Sequence, residues 1–209
     1  MSKEELIQFW QEKQLDQKLV AAFNQVPRER FVPKTLQEHA YKDQPLPTVR
    51  NQSISQPTTV MIMLAALELE EGHSVFELGS GGGYQAALLS NIVGVQGKVV
   101  SVEVIPELVQ IARQNLSDRG NVTIEEADGS DGYVPNAPYD RAIITAACPA
   151  IPQPVIDQLK EGGIVVAPVG DIQSQTMVKG TKSGNRLDLE VLGPFRFVPM
   201  RGKLGFKES

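Results

Sequence analysis

The 209-residue sequence contains one cysteine, Cys148, and two histidines, His39 and His73. A lone cysteine excludes any disulfide framework within the chain. Neither histidine has a partner at metal-ligand spacing, so no metal centre is expected. No apolar run is long enough to span a bilayer, and the polar opening Ser2-Lys3-Glu4-Glu5 is unlike a secretory leader. A cytoplasmic protein with no membrane partner is expected. Basic residues are not in excess: 20 Lys and Arg against 25 Asp and Glu leave a net charge of −5. That balance gives no electrostatic footprint for nucleic acid and weighs against RNA or DNA as substrate. There is no G-x-S-x-G elbow, no P-loop lysine and no histidine near Cys148 in sequence, so the residues of the common hydrolases and nucleotidases are missing. No repeat, low-complexity tract or linker breaks the chain, which reads as one domain and a monomer.

What is present is a strand, a glycine turn and a helix in Ser74 to Leu89. Val75, Phe76 and Leu78 form the short apolar run of a central strand, and Ala86 to Leu89 open a helix. Between them lie Gly79, Gly81, Gly82 and Gly83, four glycines in five residues, more than one tight turn needs. The glycines admit two registers. Gly81-Gly82-Gly83-Tyr84-Gln85-Ala86 fits the dinucleotide pattern G-x-G-x-x-G/A. The alternative, Glu77-x-Gly79-x-Gly81-x-Gly83, is favoured because Gly79 follows the strand directly and places an acid at its end. A pyrophosphate would be repelled there, whereas the cationic sulfonium and ammonium of S-adenosylmethionine would not.

Before this unit, Ser2 and Glu5 form a capping-box pattern opening a helix with Leu6, Phe9 and Trp10. A second helix from Asp16 buries Leu19, Ala22, Phe23 and Val26 and stops at Pro27. Arg28 to Pro33 and Tyr41 to Pro47 are proline-punctuated and irregular, long enough to cover something. Pro57 then fixes the start of a helix, putting Ser53 and Ser55 at its mouth, where free N–H groups and the helix dipole suit a carboxylate. Taken alone, that stretch favours Ser55 as a helix or turn cap over a functional serine.

After the glycine loop, strand and helix alternate. Lys98 to Val104 is a strand carrying Glu103, an acid 24 residues after Gly79 and able to accept both ribose hydroxyls of an adenosine. A helix starts at Pro106 and stops at Gly120, a strand runs from Asn121 to Ala127 and closes on Asp128-Gly129, and another runs from Tyr139 to Thr145. A helix from Pro152 to Leu159 ends at Gly162-Gly163, followed by a strand from Ile164 to Val169. A hairpin around Ser183-Gly184-Asn185 and a last strand, Phe195 to Val198, finish the chain. The pattern predicts a doubly wound, Rossmann-like, mostly parallel α/β sheet with an antiparallel end and an N-terminal helical extension. Its parts are residues 1–56 (helices and lid segment), 57–170 (cofactor-binding core) and 171–209 (hairpin and last strand). Gly79 to Gly83, Glu103, Asp128 and Thr145 all fall at carboxyl ends of strands, where such folds bind ligands. The catalytic inventory lacks a general base. A carboxylate acceptor needs none, since with a pKa of about 4 it is already ionised at pH 7, so methyl transfer from a sulfonium to a carboxylate fits.

Several segments resemble the protein-L-isoaspartate O-methyltransferase family: Pro27-Arg28-Glu29-Arg30-Phe31-Val32-Pro33, Gln52-Ser53-Ile54-Ser55-Gln56-Pro57, Glu77 to Gln85, Asp128-Gly129, Ala137-Pro138-Tyr139-Asp140 and Arg196-Phe197-Val198-Pro199. They occur in family order over nearly the whole chain. The resemblance implies methylation of isoaspartyl residues in damaged proteins and peptides, with S-adenosylmethionine as donor and S-adenosylhomocysteine as product, the ester then closing to a succinimide. It implies that Ser55 holds or orients the substrate carboxylate, that Gln52, Ser53 and Ile54 line the cofactor, and that Glu103 binds the ribose. It further implies that Val104 packs on the adenine, that Asp128 with Gly129 binds its polar edge, that Val198 pairs with the substrate backbone, and that the last two strands are exchanged relative to other methyltransferases. The chain departs from the family at Val49-Arg50-Asn51, where relatives carry flanking glycines and where Arg50 is placed to attract an acidic substrate. It also departs at Gly82, in place of a serine, and at Arg141, in place of a small residue. The alternative is a class I methyltransferase acting on RNA or a small molecule, which would need a base or a basic groove.

Overall fold

Runs of buried aliphatic residues, each ending in a loop or glycine turn, set the strands, and the amphipathic stretches between them set the helices. The computed structural model describes residues 1–207. Helix α1 (Lys3–Glu12) opens on the expected capping box: Glu5 N–H donates to Ser2 Oγ at 3.2 Å and Ser2 N–H to the Glu5 carboxylate at 2.7 Å. Asp16 caps α2 (Gln17–Gln25) through Lys18 N–H at 2.9 Å. Short 3-10 turns between Arg28 and His39 lead to a small antiparallel ribbon, β1 (Leu46–Pro47) with β2 (Ser53–Ile54). The remaining elements are α3 (Pro57–Ala66), β3 (Ser74–Leu78), α4 (Tyr84–Val93), β4 (Lys98–Glu103), α5 (Pro106–Asn115), β5 (Val122–Glu126), β6 (Tyr139–Ile144), α6 (Gln153–Asp157), β7 (Leu159–Gly170), β8 (Gln175–Ser183) and β9 (Arg186–Phe195).

The main sheet has the order β5-β4-β3-β6-β7-β8-β9, with parallel pairing from β5 through β7 and antiparallel pairing for β8 and β9. Helices α1 to α5 share one buried cluster on one face of the sheet, where Leu6, Phe23, Leu64, Leu88 and Val109 pack over Val75, Val99 and Ile143. On the other face Phe76, Val100 and Ile144 pack with Tyr139 and Val155. The chain runs outward from β3 through β4 to β5, then returns to β6 on the opposite side of β3. The reversal leaves a crevice between the carboxyl ends of β3 and β6, where doubly wound folds bind ligands.

Three expectations are corrected. Helix α6 stops at Asp157, and β7 begins at Leu159 and carries Gly162 and Gly163 within it, because Tyr139 pairs with Leu159 before the register shifts to Arg141 with Ile164. The hairpin, expected to pair Thr176 to Gly180 with Leu187 to Leu192, is longer, since strand pairing extends from Gln175 with Phe195 to Ser183 with Arg186. The segment Phe195 to Val198 is not a separate strand: β9 ends at Phe195, and the chain crosses to Ala147, whose N–H donates to Val198 O at 2.8 Å. Among the described residues, no helix is long and apolar enough to cross a membrane.

Arg141 acquires a role that spacing did not reveal. At the start of β6 its guanidinium donates to Leu67 O at 2.5 Å and Glu68 O at 3.0 Å. These carbonyls follow the last turn of α3, where helix acceptors have no intrahelical donor, and Glu68 is in a left-handed conformation with φ 48°. Arg141 therefore closes α3 onto the sheet. Arg141→Met is expected to lower stability by about 1.5 kcal/mol, the scale of a charge-assisted hydrogen bond at a half-exposed site. Urea unfolding would measure the loss, and an unchanged midpoint would show that water replaces the guanidinium at no cost.

Candidate active site

The site is built on two close approaches at the switch point. Gly79 leaves β3 with φ +92°, and a Cβ there would lie 2.5 Å from Thr145 Oγ1. Only glycine satisfies both conditions. Thr145 N–H donates to Leu78 O at 3.0 Å and its hydroxyl to Gly79 O at 2.6 Å, fastening the loop to the end of β6. Gly83, also at φ +92°, would meet Leu116 Cδ1 at 2.7 Å if it carried a Cβ, so α4 starts tight against the end of α5. Gly81 faces open space, and its N–H donates to Glu103 Oε2 at 3.0 Å, joining the loop to β4.

Three connected compartments surround this loop. The first lies over Gly79 to Gly82 and is closed by Ser53, Ile54, Ser55, Met63 and Tyr84. The second follows the end of β4 along Glu103, Val104, Ile105 and Leu108, with Gln52 and Val198 on its rim. The third opens outward between Ser55, Gln56, Thr59 and Arg196 to Val198. Ser53 and Thr145 line all three.

Glu103 is buried yet accepts from Gly81, Val104 and Ile105 N–H groups at 2.9 to 3.0 Å. Burial raises its pKa above the ordinary carboxylate range, and the three donors oppose that rise. A carboxylate has about four acceptor positions, so about one remains for a ligand hydroxyl. The open face over Gly81 and the apolar wall of Val104 and Leu108 beside this acid fit an adenosine with no phosphate to accommodate.

The structure redirects several sequence-based expectations. Glu77 does not face the cleft: it is wholly buried beneath the loop, accepting from the Ser101 hydroxyl, so the acid at the cleft that favours a cation is Glu103. The mouth of α3 is not free for a substrate, because Asp43 accepts from Thr58 N–H at 2.9 Å and from the Thr58 hydroxyl at 2.8 Å. Asp43 lies in the irregular segment Tyr41 to Pro47 and gave no sequence signal as a cap, being 15 residues upstream of its partner. Arg50 is not available to attract an acid, since its guanidinium pairs with Glu107. Arg50 and Asn51 adopt φ 57° and 58°, so this lid takes the left-handed turn without the glycines of its relatives. Asp128 and Gly129 lie outside the three compartments. Asp128 accepts from Ser130 N–H and hydroxyl at 2.9 and 2.7 Å and from Lys203 N–H at 2.7 Å. Burial raises its pKa, but these donors outweigh it and hold the carboxyl below its ordinary value. Among the described residues no cluster of His, Cys, Asp or Glu has metal-binding geometry.

Burial pushes the Glu77 pKa up to about 8. Its native pKa therefore exceeds that of the unfolded chain, the native state holds more protons between the two values, and stability falls as pH rises from about 5 to 8. Glu77→Gln is expected to remove a decline of at most about 1.4 kcal/mol per pH unit. Urea midpoints of both proteins across that window test this, and equal slopes would show that Glu77 ionises in the fold as readily as in water.

The model of the family described as protein-L-isoaspartate(D-aspartate) O-methyltransferase matches residues 1–205. The protein-L-isoaspartate O-methyltransferase of Methanoculleus marisnigri is 46% identical, the match covering 92% of this chain and 87% of that protein. Protein-L-isoaspartate O-methyltransferase 2 of Archaeoglobus fulgidus is 48% identical over 94% and 91% of the two chains. A solved structure of a protein-L-isoaspartate O-methyltransferase superposes with a TM-score of 0.90 at 30% identity, covering 98% of this chain and 67% of the other. A Plasmodium falciparum structure described as a complex with S-adenosyl-L-homocysteine shares the fold, with a TM-score of 0.82 at 18% identity over 96% and 99% of the two chains. The chain belongs to the protein-L-isoaspartate(D-aspartate) O-methyltransferase family and is an enzyme that uses S-adenosylmethionine.

Proposed function

We propose that the chain methylates the free carboxylate of L-isoaspartyl residues in damaged proteins and peptides, acting as a single-domain cytoplasmic monomer with no nucleic-acid substrate. The observation that supports this most is the meeting of three compartments at Ser53 and Thr145. Two compartments accommodate the two ends of the donor and the third admits a peptide. When bound, S-adenosylmethionine supplies a methyl group on a positively charged sulfur, open to displacement by a carboxylate.

The chain's own residues bind, align and exclude water. Glu103 accepts from one ribose hydroxyl with its remaining acceptor position, and Val104 and Leu108 cover the adenine. Asp128 and Gly129 stand behind the adenine pocket, Gly129 packing closely on Leu78 and Val102, which line it. Gln52, Ser53, Ile54 and the loop glycines Gly79, Gly81 and Gly82 enclose the rest, while Gly83 packs against Leu116 behind them. The Ser55 hydroxyl donates to the isoaspartyl carboxylate, which is ionised at neutral pH and needs alignment rather than a base. Arg196 adds positive charge to the same outer compartment. Val198 has its carbonyl engaged by Ala147, while its N–H has no partner among the described residues and is left for an extended substrate strand. Phe197, Val198 and Val60 present apolar surface around the junction, limiting access of water that would compete for the acceptor.

Transfer of labelled methyl to an isoaspartyl peptide, with none to its aspartyl twin, is the expected result, and equal labelling of both would remove the substrate assignment. Ser55→Ala is expected to lower turnover about 10- to 100-fold, the value of one hydrogen bond to a charged group, with calorimetric affinity for S-adenosylhomocysteine retained. Glu103→Ala is expected to weaken that affinity by a similar factor, and an unaltered dissociation constant would place the ribose elsewhere.

A further inference from the structure

Arg28 is completely buried and no acidic side chain pairs with it among the described residues. Its guanidinium lies 5.0 Å over the Tyr84 ring, its Nε donates to Ala40 O at 2.7 Å and one terminal nitrogen to Ser55 O at 2.8 Å. The other terminal nitrogen, Nη1, has no partner. A cation held out of water without a counterion is unfavourable, and an apolar side chain of similar volume would fill the same space more stably. Packing alone therefore does not account for an arginine here. One of its two hydrogen bonds holds the carbonyl of the Ser55–Gln56 peptide, and the other anchors the guanidinium to Ala40.

In a planar trans peptide the N–H points opposite to the C=O. With the Ser55 carbonyl drawn toward Arg28, the Gln56 N–H faces the other way, and Ser55 and Gln56 both line the outer compartment. The Gln56 N–H has no partner among the described residues. Pro57 has none to offer, and the Thr58 N–H is taken by Asp43. The Gln56 N–H is thus the last open backbone donor before α3.

We propose that Arg28 is a positioning residue that fixes the Ser55–Gln56 peptide so that the Gln56 N–H, beside the Ser55 hydroxyl, binds the substrate carboxylate. This rests on the isoaspartyl reading above. It gives the carboxylate two donors and sets the angle at which its oxygen meets the methyl group. The direct test uses the backbone. Gln56 has φ −51°, within the range of proline, so Gln56→Pro deletes the donor at a φ that proline adopts, and Gln56→Ala keeps the donor.

Gln56→Ala, which removes the side chain and keeps the N–H, sets the reference kcat/KM for an isoaspartyl peptide against which Gln56→Pro is read. Gln56→Pro is expected to lose about 10- to 100-fold while its dissociation constant for S-adenosylhomocysteine changes by less than about twofold. Arg28→Lys, which reaches one carbonyl and cannot bridge both, is expected to show the same split, a loss in kcat/KM without a loss in cofactor affinity. Wild-type kcat/KM in Gln56→Pro or in Arg28→Lys overturns the proposal. A fall in cofactor affinity that matches the fall in kcat/KM also overturns it, because that is the signature of general loosening. An inactive wild type in the same assay sinks the isoaspartyl reading together with this one, whereas an active wild type with unaffected variants sinks this one alone.

Discussion

The contact between Gly79 and Thr145 is the constraint on which the site depends. The backbone of β3 must turn into a left-handed conformation while passing within bonding distance of a hydroxyl on β6, and it does so at the one place where the parallel sheet changes winding direction. That fastening holds the loop above it, the loop is joined in turn to the Glu103 carboxylate through Gly81, and the segment carrying Ser53 and Ser55 faces it across the first compartment. A ligand in the crevice meets backbone and short polar side chains whose positions are fixed before it arrives. Such preorganisation matters most when alignment and not proton transfer is the catalytic task.

The second theme is how the fold handles charge out of water. Glu77, Glu103 and Arg28 are all buried, and each is treated differently. Glu103 has its charge stabilised by three N–H donors, which leaves it a strong acceptor at the rim of the cleft. Glu77 has only the Ser101 hydroxyl and an unpartnered second oxygen, so its proton is retained to unusually high pH. Arg28 remains charged because no ordinary environment deprotonates a guanidinium. Two of its nitrogens donate to carbonyls, one of them that of Ser55 at the outer compartment. Desolvation is common to the three, and the number and kind of hydrogen-bond partners decides what each becomes.

The same logic explains why the N-terminal third of the chain is more than a cover. Asp43 occupies the Thr58 donors in the first turn of α3 with the protein's own carboxylate, and in the proposed function the substrate carboxylate meets the donors just outside the helix. The helix dipole is largely spent on Asp43, while Ser55 and Gln56 stay open to the outer compartment.

The sequence by itself determined the order of elements, the central strand and its glycine loop, the acid at the end of β4 and the serine segment before α3, because each is written in local periodicity, turn chemistry or contiguous motif. Capping of α1 by Ser2 and Glu5, and of α2 by Asp16, was legible for the same reason: donor and acceptor lie within a few residues. Tertiary structure alone decided that Glu77 is sealed in the interior while Glu103 borders the cleft: both lie on one face of the sheet, but Glu77 sits level with Ser101 beneath the loop, whereas Glu103 lies two residues further along, at the carboxyl end of β4. It alone paired Asp43 with Thr58, Arg50 with Glu107, Arg141 with the end of α3 and Arg28 with Ser55. Those partners are separated by 15 to 74 residues, and no local pattern carries a hydrogen bond made only after distant segments are packed together.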